Sequence, residues 1–144
     1  MNVWRYQQAV SRRLLWWSGL SIAVGAALLL GRELLQGMGI QAIAWGGIDA
    51  LIAIAGRLLM RRRQVALPAP LALDVLAREA RNLRRLLLIN TGLDVLYVTG
   101  GVILALTLGS GNLFWRGTGW GIVVQGGFLF AFDLSHALGV PTGP

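Results

Sequence analysis

The chain has no cysteine, no lysine, a single histidine and few charges of any kind. Without cysteine, disulfide frameworks, thiolate metal sites and thiol redox chemistry are excluded. One histidine rules out bis-histidine haem, and His136 among carboxylates is a weak metal signal. No GxxxxGK[ST] run is present, and the Gly-x-Gly pairs lack the preceding strand that a dinucleotide site needs. Ser135 and His136 are adjacent, about 100° apart on a helix, so they do not form a nucleophile and base. Neither catalysis nor a cofactor is expected. Charged residues make up 13% of the chain, hydrophobic residues 56%, and mean hydropathy is +0.65. A typical soluble domain is about 25% charged, and a soluble fold of this length cannot hide so much apolar surface. All 13 basic residues are arginine, a bias of genomic base composition, and with six acids they give a net charge of +7. In so apolar a chain this excess is expected to mark loops facing the cytoplasm and anionic lipid rather than nucleic acid.

What is abundant is glycine, and it repeats. Gly37-Met38-Gly39 leads to Gly46-Gly47, and Gly117-Thr118-Gly119 leads to Gly126-Gly127 at the same offset. Ahead of each copy a fainter match pairs Arg12-Arg13-Leu14-Leu15 with Arg84-Arg85-Leu86-Leu87. A pair of apolar segments is therefore duplicated, over about 12–60 and about 86–138. A membrane helix needs about 20 apolar residues, which gives spans at 14–30, 39–59, 86–108 and 119–138. The expected fold is all-α. It is a single integral membrane domain over 1–144, a four-helix transmembrane bundle of two tandem helical hairpins in parallel repeat. The first segment follows a basic stretch as a signal peptide would. However, no small-residue cleavage site follows Leu30 and the segment has a later counterpart, so it reads as a retained span.

Eleven arginines fall on one side of these spans, and only Arg32 and Arg116 on the other. The positive-inside rule then places both termini and the middle loop in the cytoplasm, in a multi-pass membrane protein. In the middle connection, about 61–85, Pro68 and Pro70 end the second span. Beyond them Leu73, Leu76, Ala80, Leu83 and Leu87 recur at helical spacing, with Asp74, Arg78, Arg81 and Arg85 on another face. This cytoplasmic amphipathic helix either lies on the membrane or extends the third helix. Arg61, Arg62, Arg63, Arg81, Arg84 and Arg85 are expected to contact anionic lipid. Val3-Trp4-Arg5-Tyr6 reads as an interfacial lead-in, its aromatics suited to the headgroup zone.

Three carboxylates lie inside spans: Asp49, Asp94 and Asp133. Ionisable groups at that depth are expensive and suggest function. At 1.5 Å per residue they lie roughly 14, 12 and 10 Å from the cytoplasmic ends of their spans, so all share the cytoplasmic half. Asn90, His136 and Arg57 stand at helical spacing from them, so a polar cluster of Asp49, Asn90, Asp94, Asp133, His136 and Arg57 is possible. Two readings remain open. The acids could form a proton or cation site, or each could be a structural acceptor bonded to a neighbouring helix, which is the reading preferred at this level. The glycines, Gly46, Gly47, Gly126 and Gly127 above all, are expected at helix contacts, where missing side chains let backbones approach. Gln41 and Gln125, with Trp45, Trp115 and Trp120, suit anchoring near the outer interface or, as the lesser alternative, the lining of a shallow pocket.

The runs Gly39 to Ala50, Asn90 to Val98 and Gly119 to His136 resemble a family of small bacterial four-span membrane proteins, a domain of unknown function. The resemblance implies a bacterial inner-membrane protein and brings no activity, cofactor or substrate. The leading expectation is a non-catalytic scaffold or accessory subunit that forms a homo-oligomer or joins a larger membrane complex. The alternative is a small proton-coupled or cation-binding transporter.

Overall fold

Two asparagines start helices in the same way. Asn2 accepts a hydrogen bond from the Arg5 backbone N–H and Asn112 from that of Trp115, both at 3.1 Å, satisfying donors that the first helical turn leaves unpaired. The structure is a computed structural model that describes residues 1–141. Its elements are α1 (Val3–Leu28), α2 (Glu33–Ala66), α3 (Leu73–Leu106), the short α4 (Leu108–Gly111) and α5 (Leu113–Leu138). Among the described residues the chain is all-helical, with no strand. Pro144, the C-terminal residue placed in the cytoplasm above, lies outside them.

Three helical stretches are long and apolar enough to cross a membrane: Glu33–Ala66, Leu73–Gly111 and Leu113–Leu138. The first helix falls short of the expected four because Arg12 and Arg13 interrupt it and it ends at Leu28. In the middle connection the amphipathic segment extends the third helix, one of the two expected arrangements, as the first part of α3, while α2 continues through the triple arginine to Ala66. At 1.5 Å per residue, 34 residues make each of these helices roughly 50 Å long. α5 begins six residues earlier than the expected span, so Gly117 and Gly119 are helical.

α1 packs along α2, α3 along α5, and α2 against α5. Glycine sets the spacing of all three pairs. A Cβ on Gly25 would lie 2.7 Å from the Gly39 carbonyl oxygen, and one on Gly101 2.8 Å from that of Gly119. Between α2 and α5, Cβ atoms on Gly37 and Gly117 would collide with the Phe114 and Leu34 carbonyls. These backbones touch because no side chain intervenes. Gly46 meets Ser18, Ser21 and Ile22, and Gly126 meets Tyr97 and Val98. The expectation fails for Gly47 and Gly127, which have nothing within 4 Å. Each points away from the contact its neighbour makes, since adjacent residues diverge by about 100° around a helix.

At one end the helices extend into a core of Val3, Trp4, Tyr6, Val10, Met60, Ala80, Leu83, Leu87, Ala137 and Val140. Trp4 Nε1 donates to the Pro70 carbonyl at 2.8 Å and the Tyr6 hydroxyl to that of His136 at 2.8 Å. Val3, Trp4 and Tyr6 are therefore core residues, not an interfacial lead-in. Burial pushes the Tyr6 phenol above its ordinary pKa, opposed by the nearby Arg13 charge, so it stays protonated as a donor. The apolar face predicted for the amphipathic segment packs onto this same core through Ala80, Leu83 and Leu87, while Arg78, Arg81, Arg84 and Arg85 are exposed.

Candidate functional site

Asp49, Asn90, Asp94 and Asp133 line one cavity of about 220 Å³. Two helices supply matching stripes at positions i, i+3, i+4 and i+7. α2 gives Trp45, Ile48, Asp49 and Ile52, and α3 gives Asn90, Leu93, Asp94 and Tyr97. This spacing keeps four side chains on one helix face. α5 closes the back with Leu129 and Asp133, one turn apart, and α1 contributes Leu14. The carboxylates are 2%, 4% and 8% exposed for Asp49, Asp94 and Asp133. Asp49 Oδ2 and Asp94 Oδ2 are buried without any hydrogen-bond partner. Such orphaned groups are rare because each forfeits about 1–3 kcal/mol, more when charged. No basic side chain lines the cavity to balance the acids. Among the described residues no three His, Cys, Asp or Glu side chains are grouped closely enough to hold one metal ion, so the acids surround a space rather than a point.

Two members of the expected cluster lie elsewhere. His136 is buried, but its Nε2 accepts from Arg13 at 3.0 Å while Nδ1 faces the Phe132 carbonyl at 2.6 Å. A neutral ring protonated on Nδ1 satisfies both contacts. Three residues beyond Asp133, the ring lies against that of Phe132, with centroids 4.1 Å apart. Arg57 lies in a separate shallow groove with Ile54, Leu58 and Arg61, two turns past Asp49 and beyond the cavity's reach. Of the expected lipid-contacting arginines, Arg61, Arg62, Arg81, Arg84 and Arg85 are exposed. Arg63, whose side chain is 56% exposed, instead pairs with the buried Glu79 at 2.6 Å.

The residue match extends over most of the chain. It belongs to the family of unknown function DUF6992. The family model covers residues 13–134, which include all four cavity-lining polar residues and exclude His136. No curated protein and no solved structure matches the chain. Membership of DUF6992 assigns no chemistry, so the site is read from its geometry.

Several residues had escaped sequence reading. From sequence Arg13 counts only for the repeat and the topology, and nothing marks Glu79 as half of an ion pair, since Arg78 and Arg81 stand one and two positions away and do not face it. Gln125, expected near the outer interface, is buried and accepts from Trp17 Nε1 at 3.2 Å, with Ser21 Oγ at 3.5 Å. Trp17 also stacks on Phe128 with ring centroids 3.5 Å apart, tying α1 to α5. Trp115 and Trp120 are partly exposed as expected of anchors, whereas Trp45 is half-buried, edge-on to Tyr97 at 4.9 Å.

Proposed function

We propose that this protein is a bilayer-embedded helical bundle that binds protons or monovalent cations at Asp49, Asp94 and Asp133, as the site of a small proton-coupled or cation-binding transporter. The observation that carries this reading is the shared cavity, together with a buried carboxylate oxygen on each of two lining residues, Asp49 and Asp94, that has no hydrogen-bond partner. Three ionised acids without a counter-charge are untenable in low dielectric, and a bound proton or cation supplies the balance. The membrane reading is supported by three long apolar helices and by the exposed apolar flank of α1, where Trp16 and Leu20 are uncovered. We take α1 as a fourth span, both termini as cytoplasmic, and Arg61, Arg62, Arg81, Arg84 and Arg85 as cytoplasmic contacts to anionic lipid.

The parallel repeat is part of the proposal, in a revised register. The paired contacts Gly25–Gly39 and Gly101–Gly119 match α1 to α3 at an offset of 76 residues, one helical turn from the arginine-based match, and α2 to α5 at 80. The contacts of Gly46 with Ser21 and Ile22 then correspond to those of Gly126 with Tyr97 and Val98. Gly47 and Gly127, open to their surroundings, favour a second reading in which the bundle associates with itself or a partner as a scaffold. Crosslinking in native membranes that yields monomer alone would remove it.

The test of the main reading uses purified protein in lipid nanodiscs, titrated with acid and with sodium or potassium. Proton or cation uptake should fall in Asp49→Asn, Asp94→Asn and Asp133→Asn while the helical signal and melting cooperativity persist. Uptake unchanged in the triple variant overturns the reading.

A further inference from the structure

The cavity has a side opening. α2 and α3 do not pack along each other, unlike α1 on α2 or α3 on α5. They are bridged at two places, by the Trp45–Tyr97 ring pair and by the Arg63–Glu79 ion pair. Between these bridges Ile48, Ile52, Leu93 and Tyr97 line the cavity while being 45%, 56%, 44% and 42% exposed. A residue that is both cavity wall and outer surface marks a mouth. This mouth is apolar, aromatic at its outer edge, and lies at the depth of the inner half of the bilayer when the helices span it. In the repeat register above, the corresponding gap between α1 and α5 is filled by Trp17 stacked on Phe128 and bonded to Gln125.

Building on the cation-site reading, we infer that the mouth between α2 and α3 admits an amphiphilic organic ammonium from the membrane, its charged head seated among Asp49, Asp94 and Asp133 and its apolar body at Ile48, Ile52 and Leu93. Three features of the site select this class. The acids demand a positive head, and Trp45 and Tyr97 line the cavity beside them, aromatic side chains of the kind that attract organic ammonium groups. A volume of about 220 Å³, roughly seven times the ~30 Å³ occupied by a water, exceeds the need of a bare metal ion and suits an alkylated ammonium. Finally, the mouth opens onto acyl chains, so a ligand that partitions into the bilayer reaches it without crossing an aqueous vestibule.

The test measures binding of hexyltrimethylammonium to the protein in phosphatidylcholine–phosphatidylglycerol nanodiscs, against tetramethylammonium and neutral hexanol. Hexyltrimethylammonium should bind about tenfold or more tightly than either, each tenfold step being about 1.4 kcal/mol. Asp94→Asn should weaken it about tenfold or more. Leu93→Trp and Ile52→Trp, which fill the mouth from opposite helices and leave the acids in place, should slow or abolish hexyltrimethylammonium binding, and undiminished binding in both overturns the mouth as its entry. Displacement by added phosphatidylethanolamine identifies a lipid headgroup as the source of the ammonium. Its failure to displace identifies a free amphiphile, and both uphold the site. Proton or sodium uptake that depends on the acids, with hexyltrimethylammonium bound no better than tetramethylammonium, overturns this inference and leaves the cation site standing. Loss of both responses removes the cation site as well.

Discussion

Asp94→Asn should make the protein more stable and less functional at once. Asp94 is 4% exposed, and its Oδ2 has no partner. An unsatisfied buried polar group costs about 1–3 kcal/mol, and more when it carries charge. Asparagine keeps the shape of the side chain and removes the charge, and with it the part of that cost that charge adds. The substitution should therefore raise unfolding free energy by about 1–3 kcal/mol, several degrees in melting temperature for a chain of this size. Thermal unfolding in nanodiscs measures the gain, and proton or cation uptake by the same samples measures the loss. A structural acceptor behaves in the opposite way, because removing it strands the donor that it satisfied. A fall in stability of 1 kcal/mol or more with unchanged uptake would refute the site and assign Asp94 to packing.

Three further outcomes follow from the geometry. Gly119→Ala places a Cβ 2.5 Å from the Ala105 nitrogen and should destabilise by about 1–3 kcal/mol; Gly127→Ala meets nothing and should be neutral or gain up to about 1 kcal/mol in helix propensity, so equal melting of the two variants contradicts the packing described. Arg63→Met should cost about 1–2 kcal/mol, below the 3–5 kcal/mol of a fully buried pair because solvent reaches the guanidinium, whereas Arg62→Met should leave the melt unchanged. Asp49→Leu should abolish uptake and the added change Leu129→Asp should restore part of it, since both positions line the cavity; no rescue would mean that the exact seat of each charge matters more than the total.

The helical hairpins and the depth of the acids were legible because both follow from composition along one chain. Apolar length gives the helices, and counting residues from the arginines puts Asp49, Asp94 and Asp133 at similar heights. Whether they met was not legible, since height along a helix says nothing of rotation about it. His136 shows the difference: correct height and spacing from Asp133, yet its ring is committed to Arg13 and Phe132. The N-terminal aromatics were misread for a related reason. Val3-Trp4-Arg5-Tyr6 has the composition of an interfacial belt, but α2 and α3 outrun the hydrocarbon core by roughly 20 Å each when they cross it. Their projecting ends need a hydrophobic partner, and Trp4 and Tyr6 provide it.

The proposed repeat accounts for a one-sided site on a near-symmetric scaffold. At the revised register Asn90 stands where Leu14 does, Asp94 where Ser18 does, Leu129 where Asp49 does, and Asp133 where Ala53 does. None of the four polar residues has a polar acid or amide counterpart, and three of them belong to the second hairpin. The two lateral gaps diverge in the same way, Trp17, Phe128 and Gln125 closing one where Leu93, Ile48 and Trp45 leave the other open. Had the glycines diverged too, the helices would have lost their spacing, because the Gly25–Gly39 and Gly101–Gly119 approaches tolerate no Cβ. Glycine at the contacts thus holds the two hairpins to one geometry, and that constraint leaves the facing positions free to specialise. In the proposed repeat one gap is packing, and the other is the proposed mouth with three acids behind it.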